Sequence, residues 1–163
     1  MRVHVVPVLS DNYAYLVEGE GGAALVVDPG EAGPVFSALD ARGLRAAAVL
    51  VTHHHHDHAG GAAAVSSRYP GAPVIAKPGT WRIAGVMVEA APTPGHTLDH
   101  VAYLVDGTDL FPGDLLFGLT IGNLFEGTPE VMWASLRWVA ALPPSTRLWP
   151  GHEYTRMAID EAL

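Results

Sequence analysis

The segment Thr52-His53-His54-His55-His56-Asp57-His58-Ala59-Gly60-Gly61 places five histidines and one aspartate within ten residues. It follows residues 46–51, an apolar run typical of a strand that is covered on both faces. It precedes residues 60–69, an alanine-rich stretch that we predict to be helical. A purification tag has a similar composition, but tags stand at chain termini. We therefore interpret this segment as a polar connection at the end of a buried strand.

The ligand-type residues of this segment follow the spacing H-x-H-x-D-H. In extended backbone alternate side chains point the same way, so His53 and His55 are predicted to face one metal ion. The chain then turns into the helix that starts near Gly60, which can direct Asp57 and His58 towards a second metal. Imidazole and carboxylate suit zinc, iron or manganese. The sequence has no cysteine, which excludes a zinc–thiolate site.

Three further ligand-type residues follow apolar runs elsewhere in the chain. They are His96 after Thr93-Pro94-Gly95, Asp114 after Phe111-Pro112-Gly113, and His152 after Pro150-Gly151. Proline and glycine favour a tight turn at the end of a strand. Each residue alone would more often be an ordinary turn residue, but four such clusters together indicate one convergent metal site. A carboxylate has two oxygens, so Asp114 can bridge two metal ions.

Short apolar runs bounded by turn residues predict strands over 3–8, 13–18, 23–27, 46–51, 74–76, 86–90, 101–105, 109–111 and 147–149. Helical patterns occupy 34–42, 60–69, 129–140 and 155–163, and Gly43 fits a helix C-terminus. Both halves of the chain have strands and then a helix. We therefore predict an α/β fold in which two sheets pack together with helices outside. A length of 163 residues suits a single domain, 1–163, with one core.

Composition and charge indicate which partners and which cellular location to expect. The net charge is −8, and Lys77 is the only lysine, so we expect no nucleic-acid partner. The N-terminus lacks the apolar run of a signal peptide, and no run is long enough to span a bilayer. We therefore expect a cytoplasmic protein without membrane contact. The sequence specifies no oligomeric state.

The pattern T-H-x-H-x-D-H-x-G-G resembles the metallo-β-lactamase superfamily, and within it the hydroxyacylglutathione hydrolases, or glyoxalase II enzymes. The same resemblance extends to four further segments, residues 11–16, 93–97, 124–128 and 151–155. It implies an αββα sandwich and the hydrolysis of a small-molecule thioester. The substrate would be S-lactoylglutathione or a smaller acyl thioester.

Carried onto this sequence, the resemblance implies a site for two divalent metal ions, with zinc expected and iron or manganese as alternatives. One ion would be bound by His53, His55 and His96, the other by Asp57, His58 and His152, and Asp114 would bridge them. Thr52 and Asp28 would support the ligands, and Tyr154 would contact the glutathione moiety.

The implied reaction needs neither a serine nor a cysteine nucleophile. Two adjacent metal ions lower the pKa of a bridging water, so that hydroxide is available at neutral pH. Asp57 is predicted to be catalytic, because it would orient this nucleophile and hold its proton. The sequence also lacks the G-x-S-x-G motif of serine hydrolases.

Two features depart from the hydroxyacylglutathione hydrolase pattern. The family has a basic residue at the position of Asn123, which we expect to contact the substrate. The family also has a C-terminal helical domain that would begin near Leu163, and we expect the printed sequence to lack it. Both features predict weak binding of glutathione thioesters or a preference for a smaller thioester.

Three other interpretations fit the same residues. Persulfide dioxygenases share the fold but use one iron, which His53, His96 and Asp114 could hold as a two-histidine, one-carboxylate face. Other hydrolases of the superfamily, such as lactonases, use a similar motif. A non-catalytic metal-binding module is the third interpretation, and it would need a missing ligand, whereas all seven ligand-type residues are present.

Overall fold

Two five-stranded sheets form the centre of the computed structural model, which describes residues 2–163. The first sheet has the spatial order β1 (Val3–Val8), β2 (Asn12–Glu18), β3 (Ala23–Val27), β4 (Arg45–Leu50) and β5 (Val74–Ile75). Strands β1 to β3 are antiparallel, whereas β3, β4 and β5 run parallel. The second sheet has the order β10 (Arg147–Leu148), β9 (Asp109–Phe111), β8 (Val101–Val105), β7 (Val86–Pro92) and β6 (Gly79–Ile83). Its neighbouring strands are antiparallel except for β9 and β10.

The packing of the layers follows from the alternation of side chains along β3, in which all five residues are buried. Ala24 and Val26 belong to an outer core with Val35 of helix α1 (Ala32–Arg42) and Val65 of helix α3 (Ala62–Arg68). Leu25 and Val27 belong to a second core, which lies between the two sheets. The prediction of an α/β fold with two packed sheets and outer helices is confirmed.

Helix α4 (Pro129–Ala140) packs against the turn that follows β7. Its N-cap is Thr128, whose hydroxyl accepts a hydrogen bond from the backbone N–H of Val131 at 3.4 Å. The Ser135 hydroxyl donates a 2.7 Å hydrogen bond to the carbonyl of Pro94. Helix α5 (Thr155–Ala162) buries none of its side chains. Among residues 2–163, no helix combines the length and the apolar character that crossing a membrane requires.

Two elements were not predicted from the sequence. Strand β6 lies at the edge of its sheet, where its polar residues are exposed, so its sequence Gly-Thr-Trp-Arg-Ile has little strand character. The histidine segment also contains a short helix, α2 (His56–Ala59), which turns the chain before α3. Helix α1 begins at Ala32, two residues earlier than predicted, because Pro34 is tolerated in a first helical turn.

Candidate metal centre

The seven predicted ligands come from four chain segments and meet at one edge of the sheets. Four of them follow β4, and the others follow β7, β9 and β10. The side chains of His53, His55 and His96 form one triad, and Asp57, His58 and His152 form a second. Within each triad the ligand-type atoms lie within 4.8 Å of one another, and Asp114 forms a further group with His53 and His58. This grouping agrees with the predicted one, and the assignment of these residues as metal ligands stays a prediction.

The first triad has the spacing of ligands around one ion. His55 Nδ1 lies 3.1 Å from His53 Nε2 and 3.1 Å from His96 Nε2. Nitrogens bound tetrahedrally at 2.0–2.1 Å from zinc lie about 3.3 Å apart. The spacing of His55 from the other two imidazoles is therefore close to that of ligands around one zinc-sized ion.

Two groups orient the imidazoles of this triad. The Thr52 hydroxyl donates its one proton to Asp28 Oδ2 at 2.7 Å. It can therefore only act as the acceptor of a hydrogen bond from His53 Nδ1, which lies 3.0 Å away. His96 Nδ1 lies 2.8 Å from the carbonyl oxygen of Asn123. His53 and His96 thus each carry the proton on Nδ1 and present an Nε2 lone pair to an ion between the triad's nitrogens.

The second triad is supported in the same way. His58 Nε2 and His152 Nε2 lie 3.3 Å apart, and both are within 3.4 Å of Asp57 Oδ2. The other ring nitrogen of each imidazole faces a carboxylate, because His58 Nδ1 lies 3.0 Å from Asp28 Oδ2 and His152 Nδ1 lies 3.2 Å from Asp11 Oδ1. Such carboxylate–histidine pairs fix the orientation of metal-binding imidazoles.

Asp114 lies between the two triads. Its Oδ2 is 3.5 Å from His96 Nε2 and 3.3 Å from His152 Nε2, and its Oδ1 is 3.2 Å from His58 Nε2. That last contact lacks hydrogen-bond geometry, so the buried Oδ1 has no hydrogen-bond partner. A buried carboxylate oxygen without a partner is costly, and a cation would satisfy it. The residues present therefore fit a two-metal site bridged by this carboxylate.

The pKa values favour charged carboxylates, a neutral His53 and a protonated His152. Burial holds the pKa of His53 far below its usual range. Burial alone would also lower the pKa of His152, but hydrogen bonds with Asp114 and Asp57 outweigh it and raise the pKa to about 9. Hydrogen bonds with His152 and His58 keep the pKa of Asp57 well below its usual range. As a metal ligand, His152 would have to lose this proton.

Two glycines allow the ligand segments to approach closely. Gly113 has a φ of +51°, a left-handed conformation that side chains disfavour, and it turns the chain just before Asp114. A Cβ on Gly151 would lie 2.7 Å from Asp114 Oδ1 and 2.7 Å from His58 Cε1. The glycines that precede Asp114 and His152 are therefore required by the backbone conformation and the close packing at the site.

A cavity of about 440 Å³ opens onto the triads. Tyr154 and Asn123 both line it, and their predicted contact with substrate stays a prediction. The Tyr154 ring stacks on His152 with centroids 4.8 Å apart and an interplanar angle of 12°. Phe125 packs edge-on against His55 and His96 at 5.5 and 5.2 Å.

Sequence reasoning missed several residues of this site. Asp11 supports His152, and Asn12 Nδ2 donates a 2.9 Å hydrogen bond to Asp57 Oδ2. Both residues lie in a segment that the sequence analysis noted only for its resemblance, and they contact residues far along the chain. Phe125 is apolar, so its residue type indicated no role in the chemistry of the site.

Comparison with known proteins identifies a superfamily, a relative and two similar solved structures. A profile of the metallo-beta-lactamase superfamily matches residues 8–80. The chain is 46% identical to a hydroxyacylglutathione hydrolase of Methylococcus capsulatus in an alignment that covers 96% of this chain and 68% of that relative. The fold of this chain matches that of BLEG-1 B3 metallo-beta-lactamase with a TM-score of 0.85 at 24% identity. The match covers 93% of this chain and 92% of that one. The fold also matches TTHA1623 in a di-iron-bound form with a TM-score of 0.78 at 29% identity, over 94% and 92% of the two chains.

Proposed function

Because this chain belongs to the hydroxyacylglutathione hydrolases of the metallo-beta-lactamase superfamily, we propose that it is a two-metal hydrolase of acyl thioesters. The observation that carries the proposal is the bridging position of Asp114 between two complete triads. S-lactoylglutathione and smaller acyl thioesters are the candidate substrates. The cytoplasmic location, the single domain and the lack of nucleic-acid and membrane partners stay predictions from the sequence.

Bound divalent metal ions would lower the pKa of a water and polarise the thioester carbonyl. The protein contributes the position of the reacting groups. Asp57 is the carboxylate that meets the substrate, because its side chain is 39% exposed, whereas that of Asp114 is 9% exposed. Asn12 holds Asp57 Oδ2 against the second triad, which leaves Oδ1 free to accept a proton from the attacking water.

The reaction balances without any further reactant. The water oxygen forms a bond to the acyl carbon, and the bond from that carbon to sulfur breaks. The leaving thiolate takes up the proton that Asp57 accepted, so that the products are a carboxylic acid and a thiol. Tyr154 and Phe125 form walls of the cavity above the triads, which limits the access of water to the reacting carbonyl.

The ligand set suits zinc, with iron or manganese as alternatives. It contains only nitrogen and oxygen donors, which all three metals accept. Zinc is proposed because three histidines are a ligand set that zinc has in catalytic sites. Iron is the alternative to test first, since the similar protein TTHA1623 has a di-iron-bound form.

A substrate panel tests the proposed function. Protein loaded with zinc, iron or manganese is assayed with an acyl thioester, a lactone and glutathione persulfide, and oxygen consumption is recorded with the persulfide. We expect thioester hydrolysis without oxygen consumption. Oxygen consumption by protein that holds one iron would instead identify a persulfide dioxygenase, and hydrolysis restricted to the lactone would identify a lactonase.

A further inference from the structure

The part of the chain that the structure describes, residues 2–163, contributes no lysine or arginine to the lining of the cavity above the triads. Arg156 stands two residues after the lining residue Tyr154, and it already pairs with Asp160 at 3.4 Å. Asn123 is neutral and contributes its carbonyl oxygen to His96. The described lining of the cavity thus offers a substrate carboxylate no lysine or arginine as a partner.

Apolar side chains form part of the cavity lining. They are Phe117, Ile121, Phe125 and Met157, which we call the apolar collar. Three of these side chains are exposed to solvent, Phe125 at 65%, Ile121 at 49% and Met157 at 49%. Large apolar side chains that are exposed together around a cavity mark a binding surface. The collar is therefore suited to cover an apolar group that extends outwards from the triads.

Two carboxylates stand beside residues that line the cavity. Asp11 contacts His152 with its side chain 48% exposed, and Glu126 directly follows Phe125. Glu126 and Asp99 both contact the imidazole of His54. A substrate arm that carries carboxylates would lie close to these groups and be repelled at low ionic strength.

We propose that the arm of the thioester that extends along the apolar collar is uncharged and apolar. The protein then hydrolyses thioesters with alkyl, aryl or other neutral arms in preference to those with carboxylate arms, among them glutathione thioesters. This inference rests on the proposed thioester hydrolysis and defines the substrate class of that same site.

The test compares two substrates in which the carboxylates of the arm are either free or esterified, so that the second is both uncharged and more apolar. S-lactoyl-N-acetylglutathione carries two carboxylates, and its diethyl ester carries none. We expect kcat/KM to be about tenfold higher for the diester, mainly because its KM is lower. A tenfold difference is the discrimination that a few apolar contacts give. Added salt should narrow the difference, because it screens the repulsion of the diacid.

Variants of the apolar collar test whether its side chains cause the preference for the diester. Phe125→Gln and Met157→Gln should each lower the ratio of kcat/KM for the diester to kcat/KM for the diacid about three- to tenfold. Metal content is measured in both variants, because Phe125 contacts His55 and His96. Trp133→Gln is the matched control, since Trp133 is 63% exposed on α4 and does not line this cavity.

The outcomes separate this inference from the proposed function. Equal or better hydrolysis of the diacid would overturn the apolar-arm proposal and leave thioester hydrolysis intact. A diester preference that neither collar variant reduces would also overturn it. Hydrolysis of neither thioester by protein loaded with two metals would overturn the proposed function and this inference together.

Discussion

Asp28 Oδ2 lies 3.0 Å from Nδ1 of His58, at the base of the second triad. The same oxygen accepts a hydrogen bond from the Thr52 hydroxyl, which in turn contacts His53 of the first triad. One buried carboxylate therefore supports an imidazole of each triad. The backbone of Asp28 has a φ of +46°, an uncommon conformation for a residue other than glycine. Such a conformation is expected where a side chain must be held in one place.

Asp28→Asn should weaken metal binding at both positions. An amide supplies no negative charge to the Thr52 hydroxyl and the His58 imidazole, and changes in such supporting groups cost about ten- to a hundredfold in metal affinity. Competition with a chromophoric chelator measures both affinities. Asp40→Asn is the control, because Asp40 is exposed and pairs with Arg68. A loss at only one position would contradict the shared support.

Asp114→Ala should remove metal and activity together. The side chain contacts His96 of one triad and His58 and His152 of the other, so its loss affects both positions. Elemental analysis and a thioester assay on the same sample test this. If the variant retained both metals and near-normal turnover, the assignment of Asp114 as the bridge would be wrong.

His54→Ala and His56→Ala serve as comparisons within the histidine segment, and their effects should be milder. His54 belongs to neither triad and contacts Asp99 and Glu126 at the surface. Exposed pairs of this kind contribute about 0–1 kcal/mol. We expect unchanged metal content and thioester turnover within about threefold of the unmodified protein. Loss of one metal equivalent in either variant would show that the ligand set is incomplete.

Asn123→Arg should lower KM for S-lactoylglutathione. The Asn123 side chain is exposed and lines the cavity, while its contact with His96 uses the backbone carbonyl, so the substitution leaves that contact in place. A hydrogen bond between charged groups changes affinity by about tenfold or more. The gain should be largest at low salt, because exposed charges are screened.

Asn123→Gln is the matched control, because glutamine lengthens the side chain without adding a charge. Michaelis kinetics at two ionic strengths decide the outcome. A micromolar KM for S-lactoylglutathione in the unmodified protein, with no gain from Asn123→Arg, would mean that another group already binds the carboxylates.

Asp109→Asn should destabilise the second sheet in a pH-dependent way. Asp109 is buried and accepts hydrogen bonds from Arg147 and from the Trp149 indole. Burial alone would raise the pKa of Asp109, but these bonds and one from Thr108 outweigh it and hold the pKa below the usual value. A lowered pKa in the folded state contributes stability that is present above the unfolded pKa and is lost as pH falls through the folded one.

The free energy of unfolding should therefore fall by about 1–3 kcal/mol in Asp109→Asn at pH 7. The difference from the unmodified protein should shrink as the pH is lowered through the acidic range. Urea unfolding across that range measures it. Asp160→Asn, which changes an exposed ion pair on α5, should have almost no effect. A difference that did not vary with pH would show that the charge of Asp109 does not contribute.

The predicted and the unpredicted parts of the site differ in the range of their contacts. His53, His55, Asp57 and His58 lie within six residues, so local spacing alone indicated how they divide between two triads. The support of His152 by Asp11 joins residues that are 141 positions apart, and it depends on how the two halves of the chain pack. No pattern within a single segment carries that information.

The strands that were predicted and the strand that was missed also differ in how far they depend on contacts with other parts of the chain. Strand β3 is apolar throughout because both of its faces are covered, and it was predicted from that run. Strand β6 was missed because it lies at an edge and is stabilised by its antiparallel pairing with β7. Its conformation depends on a partner strand more than on its own sequence.

The most direct test of the two-metal site is a titration of metal-free protein with zinc, with hydrolysis of an uncharged S-lactoyl thioester followed at each step. Two triads bridged by Asp114 predict that two equivalents bind and that activity reaches its maximum only when the second is bound. Full activity at one equivalent, with no further binding on addition of more zinc, would contradict the account.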